Sequence, residues 1–325
     1  CHYRANTSMP KSVDIWKELV QKVIEHCADR YGMECLKKWY FEVWNEPDLP
    51  FFEPCCTEEY FKLYDATAEA VKSVSKQLRV GGPATSKCAW IDKFIGHICQ
   101  KDNPCDCCDF ISTHAYPSDL PFLNAAEGSV KLQKSKIMKE LFTAVRKKMD
   151  NAGLCKIPLF MGEWNSSAGP YAFNHDEMNN GAFIIKTLAE LEPIIDGMLY
   201  WNLTDIYEEG GFHYTPFHGG YGMINVNSVP KSSYNAFVLL NRLSGRKLNC
   251  DTQSVPENCG ILASYDDKKL YILLYNYVEP DTDGQWWDCK ISVRISEKVL
   301  RYESTGVNSN SGSPYEWWKR LNEPE

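Results

Sequence analysis

Two glutamates stand where two apolar runs end: Glu46 in Trp44-Asn45-Glu46-Pro47 and Glu163 in Gly162-Glu163-Trp164-Asn165. Facing carboxylates about 5–5.5 Å apart can carry out a double displacement at an anomeric carbon, one as nucleophile and the other as acid/base. The nucleophile must stay ionised, and its charge raises the pKa of its partner so that the partner holds a proton. The competing reading of such a glutamate is a helix cap, a solvated loop charge or half of a structural ion pair. Two further runs end in polar groups, one in His114-Ala115-Tyr116-Pro117 and one in Trp201-Asn202-Leu203-Thr204-Asp205. Asn45, His114, Tyr116, Trp201 and Asp205 are thereby candidate substrate ligands, with Trp44, Trp164 and Trp201 offering flat faces. His114 either donates to a substrate hydroxyl or the nucleophile, or is a satisfied core histidine. Glu208 and Glu209 either reach outer hydroxyls or are solvated loop charges.

These residues need a scaffold that delivers strand ends to one face. Apolar, β-branched and aromatic runs predict strands at 39–44, 78–81, 109–113, 158–161 and 197–201. Helical spacing predicts helices at 15–27, 57–77, 89–98, 130–150, 178–191 and 231–243. Strand-then-helix alternation is the signature of parallel strands with crossover helices, and sites form at the C-terminal ends of such strands. A (β/α)8 barrel has eight strands, so five imply either an open sheet or three leading units, about 120 residues, before Cys1. Residues 210–221, rich in paired glycines, read as a mobile loop over the site. After residue 249 the texture changes to short alternating runs at 260–265, 269–277 and 288–296, an antiparallel β module. The tail, Ser304–Glu325, is polar and is expected to be cut short.

Composition removes several classes. The 325 residues carry 35 Lys+Arg against 43 Asp+Glu, a net charge of -8 without a basic run, which argues against nucleic acid or an anionic membrane as partner. No apolar run approaches the ~18 residues of a membrane span. Ten Trp, 18 Tyr and 14 Phe supply rings for a sugar site and equally for a large core. The 14 cysteines show no regular framework, and the run Cys105-Asp106-Cys107-Cys108 lacks the paired spacing of a closed zinc site. Reduced thiols in the cytoplasm are the expectation. Nucleotide, zinc-protease and serine-hydrolase motifs are absent.

The ordered set of Trp44-Asn45-Glu46-Pro47, His114-Ala115-Tyr116-Pro117, Gly162-Glu163-Trp164-Asn165, residues 200–209 and residues 217–225 resembles glycoside hydrolase family 39 of clan A, from about residue 9 to the end. That family contains β-xylosidases and α-L-iduronidases. The resemblance implies an α/β TIM barrel with an accompanying β-sandwich. Residues 1–245 would hold barrel strands 4–8, and residues 246–325 an incomplete sandwich. It implies Glu46 as acid/base, Glu163 as nucleophile and Asn45 on the sugar 2-hydroxyl, with His114 and Tyr116 lining the pocket and no metal or organic cofactor.

Where the iduronidases place a lysine for the uronate carboxylate, the corresponding stretch here offers Tyr116 and no cation. A buried substrate carboxylate without a counter-charge is costly. A retaining β-D-xylosidase acting on xylo-oligosaccharides or aryl and alkyl xylosides is therefore the leading expectation. An α-L-iduronidase or another glycosidase of the family is the runner-up, and an inactive sugar-binding protein is the alternative of a different class. A metal protein built on Cys105–Cys108 is a third reading. Self-association is left open.

Overall fold

The computed structural model describes residues 7–50, 52–53, 55–118, 136–207, 213–250, 255–279, 290, 292 and 301–323. The chain divides into two compact units. The first comprises Cys1–Asp119, Ile137–Trp164 and Leu191–Tyr200, and the second Leu120–Lys136, Asn165–Glu190 and Trp201–Glu325.

The first unit is built on five parallel strands: β1 (Tyr40–Glu42), β2 (Arg79–Thr85), β3 (Phe110–His114), β4 (Leu159–Trp164) and β5 (Gly197–Tyr200). They are hydrogen-bonded in strict chain order. A doubly wound sheet reverses its order at a switch point, whereas unbroken order is the winding of a barrel. The helices here are α1 (Val13–Tyr31), α2 (Met33–Leu36), α3 (Thr57–Val74), α4 (Ile91–Ile98) and α5 (Ile137–Asn151). Ser12 caps α1 by accepting from the Ile15 amide at 3.3 Å, and Gly32 ends it at φ 83. The Trp16 indole donates to Thr67 Oγ1 at 2.8 Å, tying α1 to α3. Tyr60, Leu63, Tyr64, Phe94 and Phe142 are fully buried and form the core, with Phe110 and Leu159 from the sheet.

Two devices pin the strands. Asp109 accepts from the Val80 amide at 2.8 Å while pairing with Lys72 at 2.7 Å. Asp196 likewise accepts from the Leu159 amide at 2.8 Å while pairing with Arg146 at 2.6 Å. The second strand corrects the sequence expectation, because β2 runs through Gly81-Gly82-Pro83 to Thr85 instead of stopping there. A Cβ on Gly81 would lie 2.2 Å from the Phe110 carbonyl oxygen, and one on Gly82 2.6 Å from the Tyr60 hydroxyl. These glycines serve close approach, not a turn. The fourth strand also runs on beyond residue 161, so Glu163 lies inside β4. Of the helix expected at 130–150, the first residues lie outside the described ones.

The second unit contains α6 (Met178–Leu191) up to Glu190, then α7 (Ser232–Asn241). An antiparallel sheet of β6 (Arg246–Leu248), β7 (Cys259–Tyr265) and β8 (Leu270–Asn276) follows, paired in that order. The strand expected at 288–296 lies outside the described residues, apart from two isolated positions. The polar tail holds a helix that the sequence reading lacked, α8 (Pro314–Arg320). Seven residues are too few to show a helical period, but Tyr315 and Trp318 pack on Phe217 with ring centroids 5.6 and 5.4 Å away. Among the described residues no helix is long and apolar enough to cross a membrane.

A buried ionic cluster organises this unit. The Lys231 ammonium lies 2.5 Å from Asp176 Oδ1 and 2.6 Å from Asp205 Oδ2, with all three side chains fully buried. Asp176 Oδ2 accepts from the Gly219 amide at 2.6 Å, Asp205 Oδ1 from the Gly222 amide at 2.7 Å, and Lys231 donates to the Gly220 carbonyl at 3.0 Å. The expectation of a mobile loop therefore fails over Gly219–Gly220–Tyr221, a buried stretch fastened by charged groups. Burial pushes the Asp176 carboxyl up even against the pull of Lys231. His175 is buried beside the same segment, and burial, reinforced by the Lys231 charge, pushes its imidazole down to about 4. Both its ring nitrogens face carbonyl oxygens, Gly219 at 2.9 Å and Ser167 at 3.1 Å. The neutral ring can donate to only one of them.

Candidate active site

The site assembles in the first unit at the C-terminal ends of β1, β3 and β4. After β1 the Val43 amide still donates to the Gly81 carbonyl at 3.0 Å, and the Glu46 amide to the Ala84 carbonyl at 2.9 Å. Between them the backbone turns through left-handed conformations at Trp44 (φ 67) and Glu46 (φ 47). Glu163 and His114 are register partners across β3 and β4.

His114 Nδ1 sits 3.1 Å from Glu46 Oε1 and 3.6 Å from Glu163 Oε2, and its side chain is 2% exposed. The Tyr116 hydroxyl donates to Glu163 Oε1. The ligand atoms of Glu46, His114 and Glu163 all lie within 4.8 Å of one another, so the two carboxylates approach closely around one imidazole. Gly162 leaves the room this needs: a Cβ there would be 3.2 Å from His114 Nε2 and 3.4 Å from Glu42 Oε1. Burial alone would push the His114 imidazole down. The hydrogen bond to Glu46 and the charges of Glu163, Glu46 and Glu42 outweigh it and raise the pKa. The arrangement can hold one carboxylate steady through Tyr116, deliver or remove a proton at the other, and shift charge through the shared histidine.

Among the described residues these three are also the only His/Cys/Asp/Glu group close enough to share a cation. Two carboxylates and an imidazole form a donor set of mixed hardness. The Cys105–Cys108 run forms no such cluster, and burial pushes the Cys108 thiol up to about 12, far from the thiolate a metal requires.

Asn45 is exposed next to Glu46. Trp201 and Asp205 belong to the second unit. There Trp201 packs edge-on to Tyr207 with centroids 5.1 Å apart, and the Asp205 oxygens face Lys231 and Gly222. Glu208 and Glu209 lie outside the described residues. Two carboxylates near the pair escaped the sequence reading. Glu42 shares a strand face with Tyr40, the alternation that a period of two predicts. Asp48 follows the Glu46 turn and bonds to Ser86.

Comparison with known proteins adds the following. The family model described as "Glycosyl hydrolases family 39" matches residues 1–325. A β-xylosidase of Caldicellulosiruptor saccharolyticus is 34% identical over 325 residues, 99% of this chain and 65% of that protein. A β-xylosidase of Geobacillus stearothermophilus is 32% identical over 99% of this chain and 64% of its own length. The chain thus spans less than two thirds of these relatives. The crystal structure of a monomeric β-xylosidase from Caulobacter crescentus CB15 superposes with a TM-score of 0.75 at 33% identity, covering 85% of this chain and 55% of that one.

Proposed function

This chain belongs to glycosyl hydrolase family 39, and from that premise we propose that its protein is a retaining glycosidase with Glu163 as nucleophile and Glu46 as acid/base. The observation that carries the reading is the approach of the Glu46 and Glu163 oxygens to within 4.8 Å. Retention goes with carboxyl groups about 5–5.5 Å apart, whereas inversion needs about 6.5–9.5 Å to admit a water. Glu163 attacks the anomeric carbon as the aglycone oxygen leaves with the proton of Glu46. Glu46 then takes a proton from the water that releases the sugar. The Tyr116 hydroxyl holds the attacking carboxylate in one rotamer, and His114 spaces the two acids. These steps need no cofactor.

The substrate in this reading is a β-D-xyloside, an aryl or alkyl xyloside or a xylo-oligosaccharide. The curated relatives of greatest coverage given above are β-xylosidases. A uronate carboxylate would meet Glu42, Glu46 and Glu163 around a single imidazole, a net repulsion. Asn45, Trp201, Glu208 and Glu209 remain proposed sugar ligands, whereas the Asp205 side chain is fully buried against Lys231 and Gly222, out of reach of a sugar. The five strands of the first unit are proposed as strands 4–8 of a (β/α)8 barrel within residues 1–245. Residues 246–325, with β6, β7 and β8, are proposed as part of a β-sandwich. The protein is proposed to work in the cytoplasm with reduced thiols.

The test is hydrolysis of paired aryl glycosides, β-D-xyloside and α-L-iduronide, by the full protein. Turnover of the xyloside alone is expected. Turnover of the iduronide would overturn the charge argument, and turnover of neither, with binding retained, would leave a sugar-binding protein.

A further inference from the structure

The loop that presents Glu46 is held against its own backbone preference. Trp44 and Glu46 adopt φ 67 and φ 47, a region disfavoured for a residue with a Cβ, which persists only where the surroundings over-determine it. One restraint is the Glu46 amide bond to Ala84. The other is Asp48. Its Oδ1 accepts from the Ser86 amide at 2.8 Å and its Oδ2 from the Ser86 hydroxyl at 2.5 Å, and Ser86 is 5% exposed. Both oxygens are therefore engaged by one residue just beyond β2, a fork that permits one orientation. Pro47 stands between Glu46 and Asp48 with its φ locked, so little slack separates the clamp from the acid. Burial pushes the Asp48 carboxyl up, the Ser86 bonds oppose this, and the Glu46 charge adds to the rise, so the two carboxylates sense each other.

We infer that Asp48, clamped to Ser86, is the positioning residue of Glu46. It fixes the height and direction of the acid/base carboxyl without touching substrate. The inference rests on the glycosidase reading of Glu46. In the step it serves, the Glu46 O–H bond breaks as the proton passes to the glycosidic oxygen. The C–O bond pair leaves with that oxygen, and Glu163 supplies the new bond to carbon.

The experiment compares kcat/KM of the full protein and its D48A, D48N and S86A variants on aryl β-D-xylosides of a weakly acidic and a strongly acidic phenol. A displacement near 1 Å costs about 100-fold where geometry governs the step. A phenolate that leaves unassisted does not need the acid. D48A is expected to lose about 100-fold on the weakly acidic phenol and less than about 5-fold on the acidic one. D48N, which keeps an acceptor oxygen, is expected to recover part of the loss, and S86A to show the same asymmetry more weakly. An equal loss on both phenols, or no loss, in S86A and in whichever Asp48 variants fold would overturn the inference. Absence of turnover by the parent protein on both phenols would instead overturn the β-xylosidase reading, and the role of Asp48 in that reaction with it.

Discussion

Replacing Lys231 by methionine tests the buried cluster of the second unit. The substitution keeps much of the side-chain volume and removes the ammonium that lies 2.5 Å from Asp176 and 2.6 Å from Asp205, both fully buried. It also leaves the Gly220 carbonyl without the ammonium donor 3.0 Å away. Removing one partner of a buried ion pair costs about 3–5 kcal/mol, because the remaining charge has neither water nor counter-ion. Two carboxylates are stranded here, so the expected loss is at the upper end, about 5 kcal/mol. Urea unfolding followed by tryptophan fluorescence at pH 7 reads this as a lower midpoint at unchanged m. A triple variant, Lys231→Met with Asp176→Asn and Asp205→Asn, is expected to recover most of the loss, since the amides still accept from Gly219 and Gly222. A single variant within about 1 kcal/mol of the parent, or a triple variant weaker than the single one, would refute the reasoning.

Three further outcomes are expected. His175 has its folded pKa lowered to about 4, so its contribution is complete above about pH 6.5 and is lost as pH falls towards 4. Between pH 7 and pH 5 that amounts to about 2 kcal/mol, and urea midpoints of His175→Gln across this range should be flatter than the parent's. Gly81→Ala should destabilise by about 3 kcal/mol, because the added methyl meets the Phe110 backbone oxygen at 2.2 Å and a strand must shift; a thermal melt matching the parent's would count against the close-approach argument. Tyr116→Phe removes the hydroxyl that donates to Glu163. A lost hydrogen bond to a charged group is worth about 1.5–3 kcal/mol, so kcat on an aryl xyloside should fall about 10- to 100-fold, and an unchanged kcat would separate Tyr116 from the nucleophile.

The elements that carry the site were legible because the sequence repeats one local pattern: an apolar run, then a polar residue at its end. That pattern located all five parallel strands and placed Glu46, His114, Tyr116 and Glu163 at their ends. What it misjudged has physical causes. Gly81 and Gly82 look like turn residues, yet they sit where Phe110 and Tyr60 leave no room for a side chain. Gly219 and Gly220 look like slack, yet Asp176 and Lys231, which share the buried cluster with Asp205, bind their backbone. Those three residues are far apart in the chain, and nothing in local spacing reveals a long-range ion cluster. Asp48 was passed over for the same reason, since its partner Ser86 is 38 residues away. The helix α8 is shorter than two full heptads and owes its place to aromatic packing on Phe217, which no periodicity reports.

The most direct test of the central claim is to trap the glycosyl–enzyme. The full protein, incubated with an activated 2-deoxy-2-fluoro-β-D-xyloside and digested for mass spectrometry, is predicted to carry one fluoroxylosyl group on Glu163. Glu46→Ala is predicted to be labelled at the same position. A label on another residue, or an inverted product from the parent enzyme with no label at all, would contradict the assignment of Glu163 as nucleophile.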